Sequence, residues 1–282
     1  MTRAVLAALL GLAAAATAFP QARPASASRQ SGIAIGDLVW TDGEVLRAEP
    51  PDKTSWRKVA TGDKLRTGDT LRTSEAAVAR IELPWMKLTL APASMISVPS
   101  SAVLSVVLDQ GRAEFSGPGR DIVKIEVGTG EVRGGGRVVL RRTVGRTSVT
   151  ALEGAFKVRS AGRTVEVKKG QGTLVVDGRS AEPARSLPRP PNGLRPGDDV
   201  GYVRAGQPVE LHWAGAGASH HVELLALQGD DDAVLLARDV AAPPLRISVP
   251  WLGTYRWRVS ARDARDVESP PSVHGLICSV ER

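Results

Sequence analysis

The four histidines are the side chains in this sequence best suited to general acid–base catalysis or to metal binding near neutral pH. They are His212, His220, His221 and His274, and all of them lie in the C-terminal third of the chain. Adjacent residues on a strand point to opposite faces, so His220 and His221 do not readily chelate one ion. A two-ligand site that adds His212 stays open, but a third ligand is missing, and polar strand residues beside a loop are the favoured interpretation. We therefore predict no metal site and no cofactor.

Two further runs carry residue types that bind cations or phosphate. The acidic run at residues 230–232 lacks the additional oxygen ligands of a calcium site, and we predict a solvated hairpin tip there. The glycine run at residues 134–136 lacks the following helix and the Lys-Ser/Thr pair of a phosphate-binding loop. We predict a turn at this run, between strands at residues 131–133 and 138–140.

Residues 32–178 contain neither histidine nor cysteine, which removes the usual general base and the thiol nucleophile from this part of the chain. A pair of carboxylates could still hydrolyse a glycosidic bond. The acids concerned fall at outward or turn positions of the predicted strands: Glu82, Asp109, Glu114 and Glu126. We nominate no catalytic pair among them. The protein is predicted not to be an enzyme, with a hydrolase of envelope polymers as the disfavoured alternative.

A cluster of arginines flanks the glycine run without an intervening acid. Its members are Arg133, Arg137, Arg141, Arg142 and Arg146. If the strand continues through Arg141 and Arg142, these two face opposite ways, and three or four of the cluster share a surface. Such a surface could bind an anionic envelope polymer or a lipid head group, although a solvated strand face is the favoured interpretation. Nucleic acid is not expected, because stacking aromatic residues are missing near the cluster.

Trp85 and Met86 are predicted to form an apolar hairpin tip. If the tip is exposed, the two side chains offer an apolar contact to a partner. If the tip folds back, Trp85 caps the core instead. The sequence leaves both alternatives open.

Two Gly-Asp pairs, six residues apart, help to shape the fold that positions these side chains. Gly62-Asp63 and Gly68-Asp69 each open a short segment with a leucine two residues after the aspartate. Glycine accepts a positive φ, and the aspartate can hydrogen-bond the backbone beyond it, so each pair predicts a tight turn. Two turns that each place a leucine in the same hydrophobic core indicate a compact β-fold rather than a catalytic loop.

The stretch from Trp56 to Thr73 follows the pattern W-x-x-V-x-x-G-x-x-L-x-x-G-D-x-L-R-T, which resembles the FecR domain. Five later segments are similar to strands and turns of that family. They lie at residues 77–83, 87–94, 108–115, 148–158 and 165–171. The resemblance covers residues 32–178 and implies an all-β domain, a roll or sandwich of short alternating strands.

Two segments depart from the family's pattern. The tripeptide at residues 84–86 replaces an Asp-Gly-type turn, and residues 133–137 replace the usual Gly-Thr-x-Phe segment. Both changes fall at turns, so the resemblance still implies the fold. It does not imply a shared ligand surface.

A proline-rich segment at residues 179–198 predicts a semi-extended linker, because its prolines bar a central strand. The following part, residues 199–282, contains several alternating segments. The inward residues of the most regular one are Tyr255, Trp257, Val259 and Ala261, and the outward ones are arginines. This alternation is typical of an antiparallel strand that packs on one side. Several such strands with short turns predict an immunoglobulin-like sandwich, similar to fibronectin type III modules.

The N-terminus has the features of a targeting segment. Arg3 supplies a positive charge, an apolar run follows at residues 4–16, and small residues offer cleavage after Ala18 or Ala27. We predict a signal peptide at residues 1–27 and a periplasmic or secreted protein with no later transmembrane segment. The only cysteine, Cys278, allows no internal disulfide after export, so both predicted domains depend on their apolar cores.

These observations favour a non-enzymatic, exported protein that acts as a binding or scaffolding module in the cell envelope. Its expected partner is an envelope protein or an anionic envelope polymer or lipid. The alternative is an accessory of a transmembrane signalling system that senses envelope state or a ligand. The FecR resemblance implies an anti-sigma segment and a membrane span before the domain, but here only the signal peptide precedes Gly32. We therefore expect no direct route from this chain to a cytoplasmic sigma factor.

Overall fold

The computed structural model of the protein describes residues 32–50, 52–99, 105–117, 123–196, 201–203, 206–228, 231–249 and 252–279. Every regular element in these ranges is a β-strand, which confirms the all-β fold class. No helix within these ranges has the length and apolarity to cross a bilayer. The predicted signal peptide at residues 1–27 lies outside the described residues.

The first fifteen strands pair into one continuous network, called the N-terminal module below. They are β1 (Ala34–Asp42), β2 (Val45–Ala48), β3 (Trp56–Val59), β4 (Lys64–Arg66), β5 (Thr70–Thr73), β6 (Val78–Leu83), β7 (Met86–Leu90), β8 (Met95–Ser97), β9 (Ser105–Gly117), β10 (Val123–Val127), β11 (Gly130–Thr143), β12 (Arg146–Ser160), β13 (Arg163–Lys168), β14 (Gln171–Val176) and β15 (Arg185–Ser186). Most neighbours are antiparallel, but β9 and β10 run parallel.

The remaining eight strands form two sheets, called the C-terminal module below. They are β16 (Asn192–Arg195), β17 (Gly201–Val203), β18 (Pro208–Ala214), β19 (Ser219–Gln228), β20 (Asp231–Val240), β21 (Leu245–Ser248), β22 (Gly253–Arg262) and β23 (Ser272–Ser279). One sheet has the order β16-β18-β21, and the other has the order β17-β23-β22-β19-β20. The immunoglobulin-like and fibronectin-like likeness of this part stays a prediction from the sequence.

The two Gly-Asp turns have the predicted conformation. Gly62 and Gly68 adopt φ values of 95° and 89°. The aspartates, however, accept hydrogen bonds from the backbone three residues before them rather than beyond them, and Asp69 Oδ2 accepts from the Arg66 N–H at 2.8 Å. The leucines that follow the two turns, Leu65 and Leu71, are fully buried in one core, as predicted.

Strand β6 has one face in the core of the N-terminal module and the other at the C-terminal module. The alternate residues of the segment at 77–83 share one face and are all buried: Ala77, Ala79, Ile81 and Leu83. Val78, on the opposite face, is buried as well, because it packs in a small apolar cluster with Leu225, Val234 and Ala237. Because both faces of β6 are buried near Val78, this end of the strand lies at the contact between the two modules.

The prediction of a turn at the glycine run was wrong. Residues 134–136 lie inside the continuous strand β11, where Gly134 pairs with Phe156 and Gly136 pairs with Gly154. At this point β11 passes from pairing with β10 to pairing with β9. Gly136 has a φ of 114°, and a Cβ there would lie 2.3 Å from the Glu153 carbonyl oxygen. Glycine is therefore required by close backbone packing within the sheet rather than by a chain reversal.

Strand β22 confirms the predicted inward face of the C-terminal module. All four predicted inward residues are buried, and Trp257 lies in one core with Trp213 and Leu211. The opposite face was predicted to be solvated because it carries arginines. Instead Arg258 and Arg262 are largely buried. Arg258 pairs with Glu114 of the N-terminal module and with Glu223 of β19, and Arg262 pairs with Asp239 of β20.

The proline-rich segment is joined by backbone pairing to both modules. Residues 185–186 form β15, which pairs with β14, and residues 192–195 form β16, which pairs with β18. The indole N–H of Trp257 donates a hydrogen bond to the Pro196 carbonyl oxygen at 3.2 Å. This segment thus contributes an edge strand to each module.

Candidate functional site

The most distinctive group of polar residues lies where the two modules meet. We call it the interface charge network and define it by nine side chains. They are Arg112, Glu114, Arg137 and Arg141 of the N-terminal module and His221, Glu223, Asp239, Arg258 and Glu268 of the C-terminal module. Charged side chains are rarely buried unless they are paired, so this concentration marks the site for closer description.

Local backbone packing fixes Arg112 at the start of the network. Gly111 has a φ of 85°, and a Cβ there would lie 2.2 Å from Ser94 Oγ. The Arg112 N–H donates to Ser94 Oγ at 2.9 Å, and the Ser94 N–H donates to Thr73 Oγ1 at 3.0 Å. Two of the segments that are similar to the FecR family, residues 87–94 and 108–115, therefore meet at the residue that reaches the other module.

The Arg112 guanidinium binds three carboxylates. Its Nε lies 2.9 Å from Oε1 and 3.2 Å from Oε2 of Glu268, and its Nη2 also donates to Oε2 at 3.2 Å. Its other contacts are to Glu223 at 3.4 Å and to Glu114 at 3.6 Å. Burial disfavours the charge, but the Glu268, Glu223 and Glu114 carboxylates outweigh it and raise the pKa of Arg112. The guanidinium stays charged and holds acids of both modules.

Glu114 and Arg258 extend the network along the interface. Arg258 Nη2 lies 3.3 Å from Glu114 Oε2, and its Nε donates to Glu223. Arg137 Nε donates to the other oxygen of Glu114 at 2.7 Å. Although burial opposes ionisation, the guanidinium groups of Arg258, Arg137 and Arg112 lower the pKa of Glu114. Glu114 therefore does not lie at an outward, solvated position, as was predicted from the strand pattern, because the second module covers that face.

His221 lies between two carboxylates of the same network. Its Nδ1 lies 2.8 Å from Asp239 Oδ1 and its Nε2 lies 3.2 Å from Glu223 Oε1, and the side chain is 5% exposed. Burial and the Arg112 charge oppose protonation, but the hydrogen bonds to Asp239 and Glu223 prevail and raise the pKa of His221. Arg141 also pairs with Asp239, so this acid joins the histidine to the N-terminal module.

The two adjacent histidines face opposite sides of β19, as predicted. The ring of His220 contacts Trp213 in the core of the C-terminal module, with the centroids 5.4 Å apart. Burial lowers the pKa of His220, in contrast to that of His221. His212 lies in an exposed pair with Glu210. Within the described residues no group of three His, Cys, Asp or Glu side chains could hold a metal ion. The side chains of His274 and Cys278, and those of the acidic run at residues 230–232, lie outside the described set.

The structure does not bring the five arginines of the predicted anionic-partner surface together. Arg137 and Arg141 belong to the interface charge network, and Arg142 binds Asp177 through two hydrogen bonds of 3.2 and 2.8 Å. Arg133 pairs with Glu131 in a more exposed position, and Arg146 is exposed at the start of β12. The shared surface stays a prediction from the sequence, and in the structure only Arg133 and Arg146 are open to an outside partner.

The hairpin tip at residues 84–85 folds back onto the core. Met86 is 5% exposed and belongs to the core of the N-terminal module, and Trp85 packs against the same core. The alternative in which Trp85 caps the core is thus the observed one. In the other alternative these two side chains would offer an apolar contact to a partner, and it is not the observed one.

A pocket lies beside the network, between the two modules. Its volume is about 220 Å³, and its walls include Arg112, Arg141, His221, Arg238 and Asp239. Short apolar side chains of residues 91–93 and Ala237 complete much of the lining. No local pattern in the sequence indicates this pocket, because its walls come from strands that are far apart in the chain.

Comparisons with known proteins identify no family for this chain. No protein-family model matches the sequence, and no curated protein matches it. Two crystal structures of a candidate anti-sigma factor from Parabacteroides distasonis are similar in part, with TM-scores of 0.36 and identities of 11% and 12%. They match 42% of this chain and 59% of the other chain, so the similarity spans little more than half of that protein. A fungal alcohol oxidase of the AA5 family, in complex with copper, matches 82% of this chain and 79% of its own at a TM-score of 0.22 and 8% identity. These TM-scores are too low to support a functional inference.

Proposed function

We propose that the protein is an exported, non-enzymatic binding or scaffolding module of the cell envelope, in which the two modules act as one body. The observation that supports this proposal best is the interface charge network. A guanidinium that is 6% exposed and binds acids of both modules favours a single relative placement of the modules. A fixed placement is what a scaffold needs to present its outer surfaces to a partner.

Uncharged contacts reinforce the same interface. Val78 is fully buried against Leu225 and Val234 of the C-terminal module. The Ser148 hydroxyl donates to the Asp266 carbonyl oxygen at 2.7 Å, and the backbone N–H of Glu268 donates to Thr150 Oγ1 at 3.2 Å. Apolar burial and neutral hydrogen bonds stabilise the interface at any ionic strength, whereas exposed ion pairs weaken in salt.

The environment of His221 favours binding over catalysis. A general base must have a ring nitrogen within reach of its substrate. Both nitrogens of His221 are engaged by carboxylates, and the ring is almost fully buried. The shifted pKa of this residue is therefore explained by its contacts with Asp239 and Glu223 of the same module, without a catalytic role.

The alternative, an accessory of a transmembrane signalling system, depends on the FecR resemblance. Its most specific part is the Trp56–Thr73 motif, in which the turns at Gly62 and Gly68 have the expected positive φ. The two hypotheses differ in the partner: a scaffold binds an envelope polymer, lipid or structural protein, whereas a signalling accessory binds a membrane receptor.

Fractionation and crosslinking in the native cell would test the proposal. The full chain, with an epitope at its C-terminus, is expected in the periplasmic or secreted fraction in a shortened form, and crosslinking should capture an envelope component. A variant that lacks residues 2–27 is the matched control and should remain in the cytosol. Retention of an intact N-terminus in the cytosol would contradict export, and capture of a membrane receptor would favour signalling. Release of sugars or peptides from cell-wall material by the purified protein would contradict the non-enzymatic assignment.

A further inference from the structure

The pocket between the modules has the chemistry of a small anion site. Its lining contains three guanidinium groups and two carboxylates. The His221 imidazole adds a further positive charge when it is protonated. The guanidinium groups belong to Arg112, Arg141 and Arg238, and the carboxylates to Glu75 and Asp239. Arg112 and Arg141 are neutralised by paired acids, so the positive charge that the lining offers to an anion is that of Arg238.

Arg238 is the guanidinium left to meet an outside anion. Arg112 and Arg141 already pair with carboxylates. Within the described residues, Arg238 donates only to backbone carbonyl oxygens, those of Glu75 at 3.3 Å and Ala237 at 3.1 Å. A guanidinium has five N–H donors in a planar fork that fits a carboxylate, so most of the capacity of Arg238 is unused.

One segment of the lining is apolar and held in a strained conformation. It consists of Ala91, Pro92 and Ala93, and Ala93 has a φ of 53°, which is uncommon for a residue other than glycine. Hydrogen bonds of neighbouring residues hold this turn: the Ala93 N–H donates to the Ser74 carbonyl oxygen, and the Ser94 N–H donates to Thr73 Oγ1. Strained backbone of this kind concentrates at ligand sites.

We infer that this pocket binds a carboxylate ligand of amino-acid size, with the carboxylate on Arg238 and a short apolar part against residues 91–93. This inference rests on the proposed binding function and adds the chemical class of a ligand. A volume of about 220 Å³ is smaller than the usual range of roughly 300–1,000 Å³ for drug-sized ligands. The two carboxylates in the wall favour a monoanion over phosphate, because a second negative charge would meet Glu75 or Asp239.

Titration calorimetry of the purified exported protein tests the inference with N-acetylalanine as the probe. N-acetylalaninamide, which lacks the charge, and inorganic phosphate are the comparison ligands. We expect saturable binding of N-acetylalanine and at least tenfold weaker binding of the other two. A second arm uses N-acetyl-trialanine: binding as tight as that of N-acetylalanine indicates the C-terminus of a peptide, and weaker binding indicates a free small carboxylate.

Three variants test whether the ligand binds in the pocket. Arg238→Gln should weaken the binding of N-acetylalanine about tenfold, because it removes a charge-assisted hydrogen bond. Glu75→Gln should tighten it about threefold, because it removes a like charge from the wall. Arg246→Gln, on the exposed face of β21, is the matched control and should leave binding unchanged.

The inference is overturned if N-acetylalanine shows no saturable binding, if the neutral amide binds as well, or if neither pocket variant changes the affinity. Circular dichroism shows whether Arg238→Gln folds, and the opposite shift expected for Glu75→Gln keeps the test independent of that variant. If N-acetylalanine does not bind in the calorimeter but crosslinking in cells still captures an envelope partner, the pocket ligand is rejected and the proposed function is retained.

Discussion

Arg112 and Glu268 are separated by 156 residues in the sequence, yet their side chains form a nearly fully buried pair with a 2.9 Å contact between Nε and Oε1. The pair joins β9 of the N-terminal module to the segment between β22 and β23 of the C-terminal module. The Arg112 charge is tolerated at this depth because Glu223 and Glu114 also contact the guanidinium. Against the effect of burial, Arg112, His221 and Arg141 lower the pKa of Glu268 and keep it ionised. Removal of one partner should therefore be costly, since it leaves an unpaired charge in the interface.

Arg112→Met is expected to lower the free energy of unfolding by about 3–5 kcal/mol, because it leaves the buried carboxylates of Glu268 and Glu223 without their shared guanidinium partner. Urea denaturation followed by tryptophan fluorescence measures the change. Arg246→Met, which breaks the exposed pair with Glu210, is the matched control and should leave stability unchanged within error. A loss below about 1 kcal/mol for Arg112→Met would show that the network contributes little to the joining of the modules.

The two adjacent histidines should titrate on opposite sides of the ordinary histidine pKa of 6.5. Hydrogen bonds to Asp239 and Glu223 raise the pKa of His221 against the effect of burial, whereas burial lowers the pKa of His220. Two-dimensional NMR of the imidazole nitrogens resolves both titrations. Equal midpoints, or a reversed order, would contradict the placement of His221 between two carboxylates.

The raised pKa of His221 makes part of the stability depend on pH. Its folded pKa lies above the unfolded value of 6.5, so its contribution is complete below pH 6.5 and is lost as the pH rises through the folded pKa. We expect the free energy of unfolding to fall above pH 6.5, and the fall to be smaller in His221→Gln. His212→Gln changes an exposed histidine and should keep the slope of the parent protein. A parent protein with the same slope as His221→Gln would exclude this linkage.

Gly111→Ala should be more destabilising than a comparable change at Gly170. Both glycines have a positive φ, of 85° and 77°, so alanine is strained at either position. At Gly111 the new Cβ would also lie 2.2 Å from Ser94 Oγ and 2.5 Å from Ser94 Cα, whereas nothing lies within 4 Å at Gly170. We expect a loss of about 1 kcal/mol for Gly170→Ala and at least about 3 kcal/mol for Gly111→Ala in thermal or urea unfolding. Equal losses would mean that the Ser94 turn yields to the added methyl group.

The exposed arginines provide a test of the predicted anionic partner. The double variant Arg133→Glu with Arg146→Glu reverses the two members of the cluster that are open to an outside partner. If an anionic polymer or lipid binds there, sedimentation with envelope material should fall with added salt and fall further in the double variant. Arg246→Glu, on the C-terminal module, is the control. Sedimentation that responds neither to salt nor to the double variant would remove this surface from consideration.

The local features of the N-terminal module were predictable because their causes lie within a few residues. The turns at Gly62 and Gly68 need a positive φ, and the alternation from Ala77 to Leu83 has a period of two, so the sequence itself specifies both. The glycine run was misassigned because glycine occurs both in turns and where paired strands approach each other closely. Only the pairing partner, Gly154, distinguishes the two uses.

The interface charge network could not be predicted in the same way. Glu114 and Arg258 were expected on solvated strand faces, because alternation shows that a face is polar but does not show what covers it. Their pairing depends on how the two modules contact each other, and no local spacing records that contact. A useful signal was present in the charge of the two parts. Residues 199–282 carry eight arginines against eleven acids, whereas the rest of the chain carries 29 basic against 19 acidic residues, and parts of opposite charge are suited to pair.

The pairing of the proline-rich segment has a practical consequence for cutting the chain. Because β15 belongs to one module and β16 to the other, only residues 187–191 run between the two attachments. A protease nick in this stretch would sever one covalent bond and leave the buried ion pairs and edge strands in place. The two fragments should then copurify and reassociate after separation, as complementary halves of a split protein do.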